Sequence, residues 1–171
     1  MEQAQAFINF ECYEDSVNLL GIAKIKLPDI SWLTQQMQGA GIAGKYDAVL
    51  IGLMDAMELG LDFLSVTDDA VSLLAPKKHH IDLRAAQQYW DTVQVEQLVQ
   101  ADKYVLVVVP KSLSGGTVGP ANPAEASGKY AVYRYEAYKD GKELWLLDPL
   151  NYICRVGGVD YLEPVRKALG K

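Results

Sequence analysis

Apolar and polar residues alternate most regularly between Met57 and Phe63, where Met57, Leu59, Leu61 and Phe63 interleave with Glu58, Gly60 and Asp62. A period of two places the first set on one face of a β-strand and the second on the other, so the pattern predicts a strand with an apolar face and an acidic one. The preceding run, residues 48–54, is apolar on both faces. It reads either as the first limb of a hairpin over residues 47–66 or as a buried helical segment, which periodicity alone does not separate. Two earlier strands are predicted over residues 7–13 and 17–27, joined at Glu14-Asp15-Ser16 and ended by Pro28, which has no N–H to give to a ladder. Later strands fit residues 81–89, 93–99 and 104–109. Between 130–139 and 143–155, Asp140-Gly141 supplies the two positive φ angles of a type I′ turn, which predicts a tight hairpin.

The alternation breaks in four places. Thr67 followed by Asp68 and Asp69 predicts a helix start, and Pro76 a stop, giving a short helix over residues 68–75 that turns Val71 and Leu74 inward. At the chain end, Asp160 is placed to cap a helix and Glu163 to complete a capping box, with Val159 against Pro164 as a staple. Leu162, Val165 and Leu169 form its apolar stripe, Arg166 and Lys167 suit its C-terminal end, and Gly170 follows as a C-cap. Residues 31–46 and 113–129 read as adaptable loops rich in small and polar residues, the first with room for a short strand. The sum is a mainly β (α+β) fold, an antiparallel β-sandwich or barrel with one short central helix and a C-terminal helix, in one domain over residues 1–171.

Charge narrows the function. A net charge of −6 gives no footprint for gripping phosphate backbones, which excludes a DNA reader, and the short basic run Lys77-Lys78-His79-His80 reads as a solvated connector. Cys12 and Cys154 are far apart with no C-x-x-C spacing, so they read as reduced structural residues. The first residues lack a basic region followed by an apolar run, and no stretch reaches the ~20 apolar residues that span a bilayer. That predicts folding in a cytoplasm without membrane insertion.

One motif points elsewhere. Gly39-Ala40-Gly41-Ile42-Ala43-Gly44 satisfies G-x-G-x-x-G, the basis for an alternative reading as a small cofactor-binding enzyme. Its context is wrong: the polar run Thr34-Gln35-Gln36-Met37-Gln38 precedes it where a buried parallel strand belongs, and Tyr46 follows Lys45 where a phosphate loop needs Ser or Thr. The glycines read instead as a loop that bends and packs against another backbone. His79 and His80 point to opposite faces of a strand and cannot share a metal. No catalytic residue, metal ligand or cofactor is expected.

The order Asp148-Pro149-Leu150-Asn151, Gly157-Gly158-Val159-Asp160, Arg166 and Leu169-Gly170 resembles the end of the major tail tube proteins of contractile-tailed bacteriophages and phage-tail-like bacteriocins. The likeness runs back through Leu27-Pro28, the glycines from Gly39 to Gly44, the Met57-Glu58 strand and the Tyr-rich late hairpin. The resemblance implies a structural protein that forms hexameric rings, stacked into a tube inside a sheath. Its partners would be itself, the sheath protein, a tape-measure protein and tail end proteins, with DNA sliding through the lumen unbound, or with an empty lumen in a bacteriocin tube. The tube of a type VI secretion system is the related alternative. The place implied is the virion tail, or a tail-like particle, assembled in a bacterial host's cytoplasm. On this reading Gly39, Gly41 and Gly44 form a ring-stacking loop, and Glu58 and Asp62 face the lumen.

Overall fold

The computed structural model describes residues 1–15 and 18–171; Ser16 and Val17, the expected end of the first turn and start of the second strand, lie outside the described residues. The strands are β1 (Glu2–Glu14), β2 (Asn18–Leu20), β3 (Lys24–Lys26), β4 (Trp32–Met37), β5 (Tyr46–Met54), β6 (Met57–Asp62), β7 (His79–Asp91), β8 (Glu96–Ser114), β9 (Ser127–Lys139), β10 (Lys142–Asp148), β11 (Ile153–Val156) and β12 (Val159–Asp160). Two short helices join them, α1 (Asp68–Leu74) and α2 (Glu163–Ala168). Ten strands form one antiparallel sheet in the order β12-β11-β10-β9-β8-β7-β1-β2, with β6 on β9 and β3 on β6. The mainly β, antiparallel expectation is met.

The core follows from the alternation. Met57, Leu59, Leu61 and Phe63 are all buried, each full burial of such a side chain being worth about 1.5–3 kcal/mol. They share one cluster with Leu106 and Val108 of β8, Tyr130, Val132 and Tyr135 of β9, and Ile81 and Leu83 of β7. On the side away from β8, β9 serves two neighbours: residues 127–132 pair with β6, and residues 135–139 pair with β10. Asp140 and Gly141 have φ of 47° and 79°, the left-handed pair that the type I′ turn requires.

Three expectations are corrected. β5 and β6 do not pair as a hairpin; β5 pairs with β4 as a separate two-stranded arm, and β6 pairs with β3 and β9. The short strand allowed for within residues 31–46 is β4, and only residues 38–45 turn. Residues 96–99 and 104–109, expected in two strands, belong to the continuous β8, in which Asp102 faces inward near Lys139, and residues 93–95 lie in the turn before it. Likewise residues 113–114 and 127–129 belong to β8 and β9, which shortens the second expected loop.

Helix α1 is capped as expected, Thr67 Oγ1 accepting the Ala70 N–H at 3.3 Å, but its phase differs. Ala70 and Leu73 are buried, whereas Val71 and Leu74 are exposed. In α2 the expected capping box is absent. Asp160 Oδ1 accepts the Leu162 N–H at 3.1 Å and its Oδ2 accepts from Arg166 at 2.7 Å, while Glu163 pairs with Lys167 at 3.2 Å. Of the expected apolar stripe, Leu162 is buried and Leu169 is exposed; Val159, the proposed staple, is exposed as well. The C-cap is as expected: Gly170 has φ 71°, its N–H reaches the Lys167 carbonyl at 3.1 Å, and the Lys171 N–H reaches the Arg166 carbonyl at 2.9 Å. Those two bonds make a Schellman motif.

Candidate assembly surfaces

The arm formed by β4 and β5 leaves the body of the protein at Trp32 and Met54, which pair with each other and pack against the core. Beside that root the Asp55 N–H bonds the Ser31 carbonyl at 2.8 Å. Gly52 is a second anchor. At φ 68°, a Cβ there would stand 2.6 Å from the Leu162 side chain, so only glycine lets β5 lie this close to the residue that begins α2. Outward from these anchors Leu33, Met37, Tyr46, Val49, Leu50, Ile51 and Leu53 are exposed. Isolated two-stranded hairpins are marginal in water, and apolar patches of this extent mark interaction surfaces.

Gly39, Gly41 and Gly44 lie in the turn at the tip of this arm. A Cβ at any of them would meet nothing within 4 Å, so within the protomer they do not pack against another backbone as expected. Gly41 and Gly44, at φ 87° and 141°, are needed for the turn itself. The motif joins two antiparallel strands and no helix follows it. It therefore lacks the helix N-terminus that would hold a pyrophosphate, and the cofactor-enzyme alternative loses its site.

Glu58 and Asp62 project from the outward face of β6 and are exposed. Lys111 Nζ lies 2.7 Å from Glu58 Oε2, and this hydrogen bond, with the charges of Lys111, Lys129 and Lys26, holds the Glu58 carboxyl below the usual range. Lys24 is the ladder partner of Asp62, and Lys26 and Lys129 are both partners of Gly60. The strand is acidic by itself. Its neighbours make the face one of mixed sign.

The titratable groups in the interior are structural. His79 is buried, with Nδ1 2.6 Å from Glu14 Oε1 and Nε2 2.9 Å from the Ala75 carbonyl oxygen. Burial, reinforced by Asp82, pushes the Cys12 thiol up to about 12, and burial also raises Cys154. Neither thiol ionises near neutrality, so neither is a nucleophile. Among the described residues no group of three His, Cys, Asp or Glu side chains is arranged to hold a metal ion.

Sequence reasoning missed the ribbon made by the far ends of β1, β7 and β8, because the turn joining β7 to β8 has no glycine. The signal present was Asp91, whose carboxylate accepts the Val93 N–H at 2.8 Å and shapes the turn while Val95 takes φ 56°.

A family model described as phage tail tube protein FII matches residues 4–170. Among curated proteins, none matches the sequence. Two solved structures share the fold at low identity. One is the sheath/tube terminator of an extracellular contractile injection system in its extended state, with TM-score 0.54, 12% identity, and coverage of 77% of this chain and 94% of that one. The other is the sheath-tube complex of such a system, with TM-score 0.51, 13% identity, and coverage of 76% and 88%.

Proposed function

The chain belongs to the phage tail tube protein FII family, and from that premise we propose that it forms hexameric rings stacked through the arm of β4 and β5. It is a structural subunit of a tail tube, not an enzyme, and a component of a tail or tail-like particle. The observation that carries the stacking reading is the arm, whose apolar side chains have no cover within the protomer. A second copy in the next ring supplies that cover. This is a head-to-tail contact that does not close on itself, so other proteins set the tube's length, and a tape-measure protein and end proteins fill that role. A sheath protein surrounds the tube, in keeping with the sheath-tube setting of the two structures that share the fold. Assembly takes place in the cytoplasm of the bacterial host.

Glu58 and Asp62 are our candidates for the channel lining, supported by their exposure on the outward face of β6. The lysines beside them make such a lining one of paired charges. DNA passes it without specific binding.

Negative-stain microscopy of the concentrated protein tests the assembly directly: rings and tubes are expected. Gly39→Trp adds bulk at an open position without a φ penalty, and it should leave rings but shorten or abolish tubes. Full-length tubes from this variant would remove the tip from the stacking contact.

A further inference from the structure

The arm does not run straight out of the body. Between its root rung, Trp32–Met54, and the next rung, Thr34–Val49, β4 has only Leu33, whereas β5 has residues 50–53. An excess of this kind on one strand bends a ribbon and re-aims whatever lies beyond it. Gly52 is buried inside this bulge, while Ile51 and Leu53 on either side of it are exposed. The body meets the bulge at that point, because the space a Gly52 Cβ would take is filled by the Leu162 side chain, with the Cys154 Cβ 3.5 Å away.

Leu162 lies between β12 and α2, in neither a strand nor a helix, so other groups must fix it. Its N–H bonds Asp160 Oδ1 at 3.1 Å, Asp160 Oδ2 accepts from Arg166 at 2.7 Å, and Arg166 also donates to the Tyr152 carbonyl at 2.6 Å. The Tyr161 N–H bonds the Cys154 carbonyl at 2.9 Å. α2 buries none of its own residues; Val165 is only part-buried against the core. What the segment holds in place is Leu162, only 2% exposed.

A ribbon held at one rung can swing about it, and a second contact on one strand, away from that rung, stops the swing. We infer that residues 160–166 form a latch that sets the angle of the arm, with Leu162 as the positioning residue bearing on the bulge at Gly52. This rests on the reading of the arm as the stacking element, since all the arms of a ring must leave at one angle to meet the next ring together. The rungs from Thr34–Val49 to Met37–Tyr46 span about 10 Å at ~3.3 Å per residue, so a small shift at the bulge is magnified at the tip. The close-packed contact at Gly52 passes any movement of Leu162 on to the arm.

Spin labels at Ile42→Cys in the arm's tip and Ser72→Cys on α1, both exposed positions, report the angle as a distance in dilute, unassembled protein; Cys12 and Cys154 are buried. Double electron–electron resonance should give one narrow distance in the labelled parent, a broadened distribution in Leu162→Ala, and the narrow distance again in Leu162→Met. Arg166→Gln opens the clamp without emptying the core and should broaden the distribution in the same way. Leu83→Ala removes the same side chain from β7, which pairs with β1 and β8, and should leave the distance narrow. Under conditions where the parent forms tubes, Leu162→Ala should still form rings and lose the tubes. A narrow distance in Arg166→Gln, equal broadening in Leu83→Ala, or tubes of parental length from Leu162→Ala would overturn the latch alone. A parent chain that forms no tubes would overturn the stacking reading, which the distances in unassembled protein do not depend on.

Discussion

His79 Nδ1 lies 2.6 Å from Glu14 Oε1, and the other ring nitrogen lies 2.9 Å from the Ala75 carbonyl oxygen, so one imidazole joins β7, β1 and the residue that ends α1. Both neighbours are acceptors. Removing one member leaves the other buried without its partner, which typically costs about 1–3 kcal/mol. His79→Ala should therefore lower the urea midpoint of the subunit sharply, whereas His80→Ala, next to it on the opposite face, should stay within roughly 0.5 kcal/mol. Equal effects from the two would show that the bridge contributes nothing.

Gly52→Ala is expected to strain both the arm and the terminal helix. The residue must keep φ 68° while its Cβ displaces Leu162, at a cost on the order of 1–3 kcal/mol. Hydrogen exchange should accelerate in α2 and in β5, and much less in β9. Unchanged protection in α2 would show that Leu162 moves aside freely.

Asp160 links the last strand to the last helix. The hydrogen bond from Arg166, followed by the Leu162 N–H, the Arg166 charge and the Cys154 backbone, holds its carboxyl below the usual range. A depressed carboxylate contributes stability above the unfolded value of about 3.9, and that contribution is lost as pH falls through the lower folded value. Docking of α2 should accordingly persist at pH 5 and weaken only below about 3.9. Asp160→Asn should remove the acid dependence and loosen the helix at neutral pH, where Arg166 then keeps only the Tyr152 carbonyl at 2.6 Å. An NMR titration of the α2 amides checks both statements.

Glu58→Lys with Asp62→Lys converts a mixed face into a basic one, because Lys24, Lys26, Lys111 and Lys129 then lose their counter-charges. In particles that carry DNA, a lumen lined this way gains salt-sensitive phosphate contacts. Ejection should slow, most at low ionic strength, where the Debye length exceeds ~10 Å. Equal rates at low and high salt would place these residues outside the channel.

The sequence-level reading succeeded where local chemistry decided the outcome. The strand from Met57 and the Asp140-Gly141 turn were legible because period-two burial and positive φ each demand particular residue types at particular positions. It failed where a distant partner decided. Nothing near residue 54 says that β5 turns back on β4, since both faces of that segment are apolar and either pairing satisfies them. The phase of α1 misled for a related reason: Val71 and Leu74 suit a core by hydropathy, yet the face that the helix buries carries Ala70 and Leu73. Glu58 and Asp62 looked uniformly acidic because their lysine neighbours come from β3, β8 and β9, far away in the chain.

The arm's exposed side chains carry a thermal consequence. In the proposed stack, sequestering Val49, Ile51, Leu53 and their neighbours between rings would remove apolar surface from water and give association a negative heat capacity change. Hydrophobic association weakens on cooling. A column of rings joined this way would grow firmer as it warms through the physiological range and shed rings near freezing, so tube lengths in a purified preparation should depend on its storage temperature.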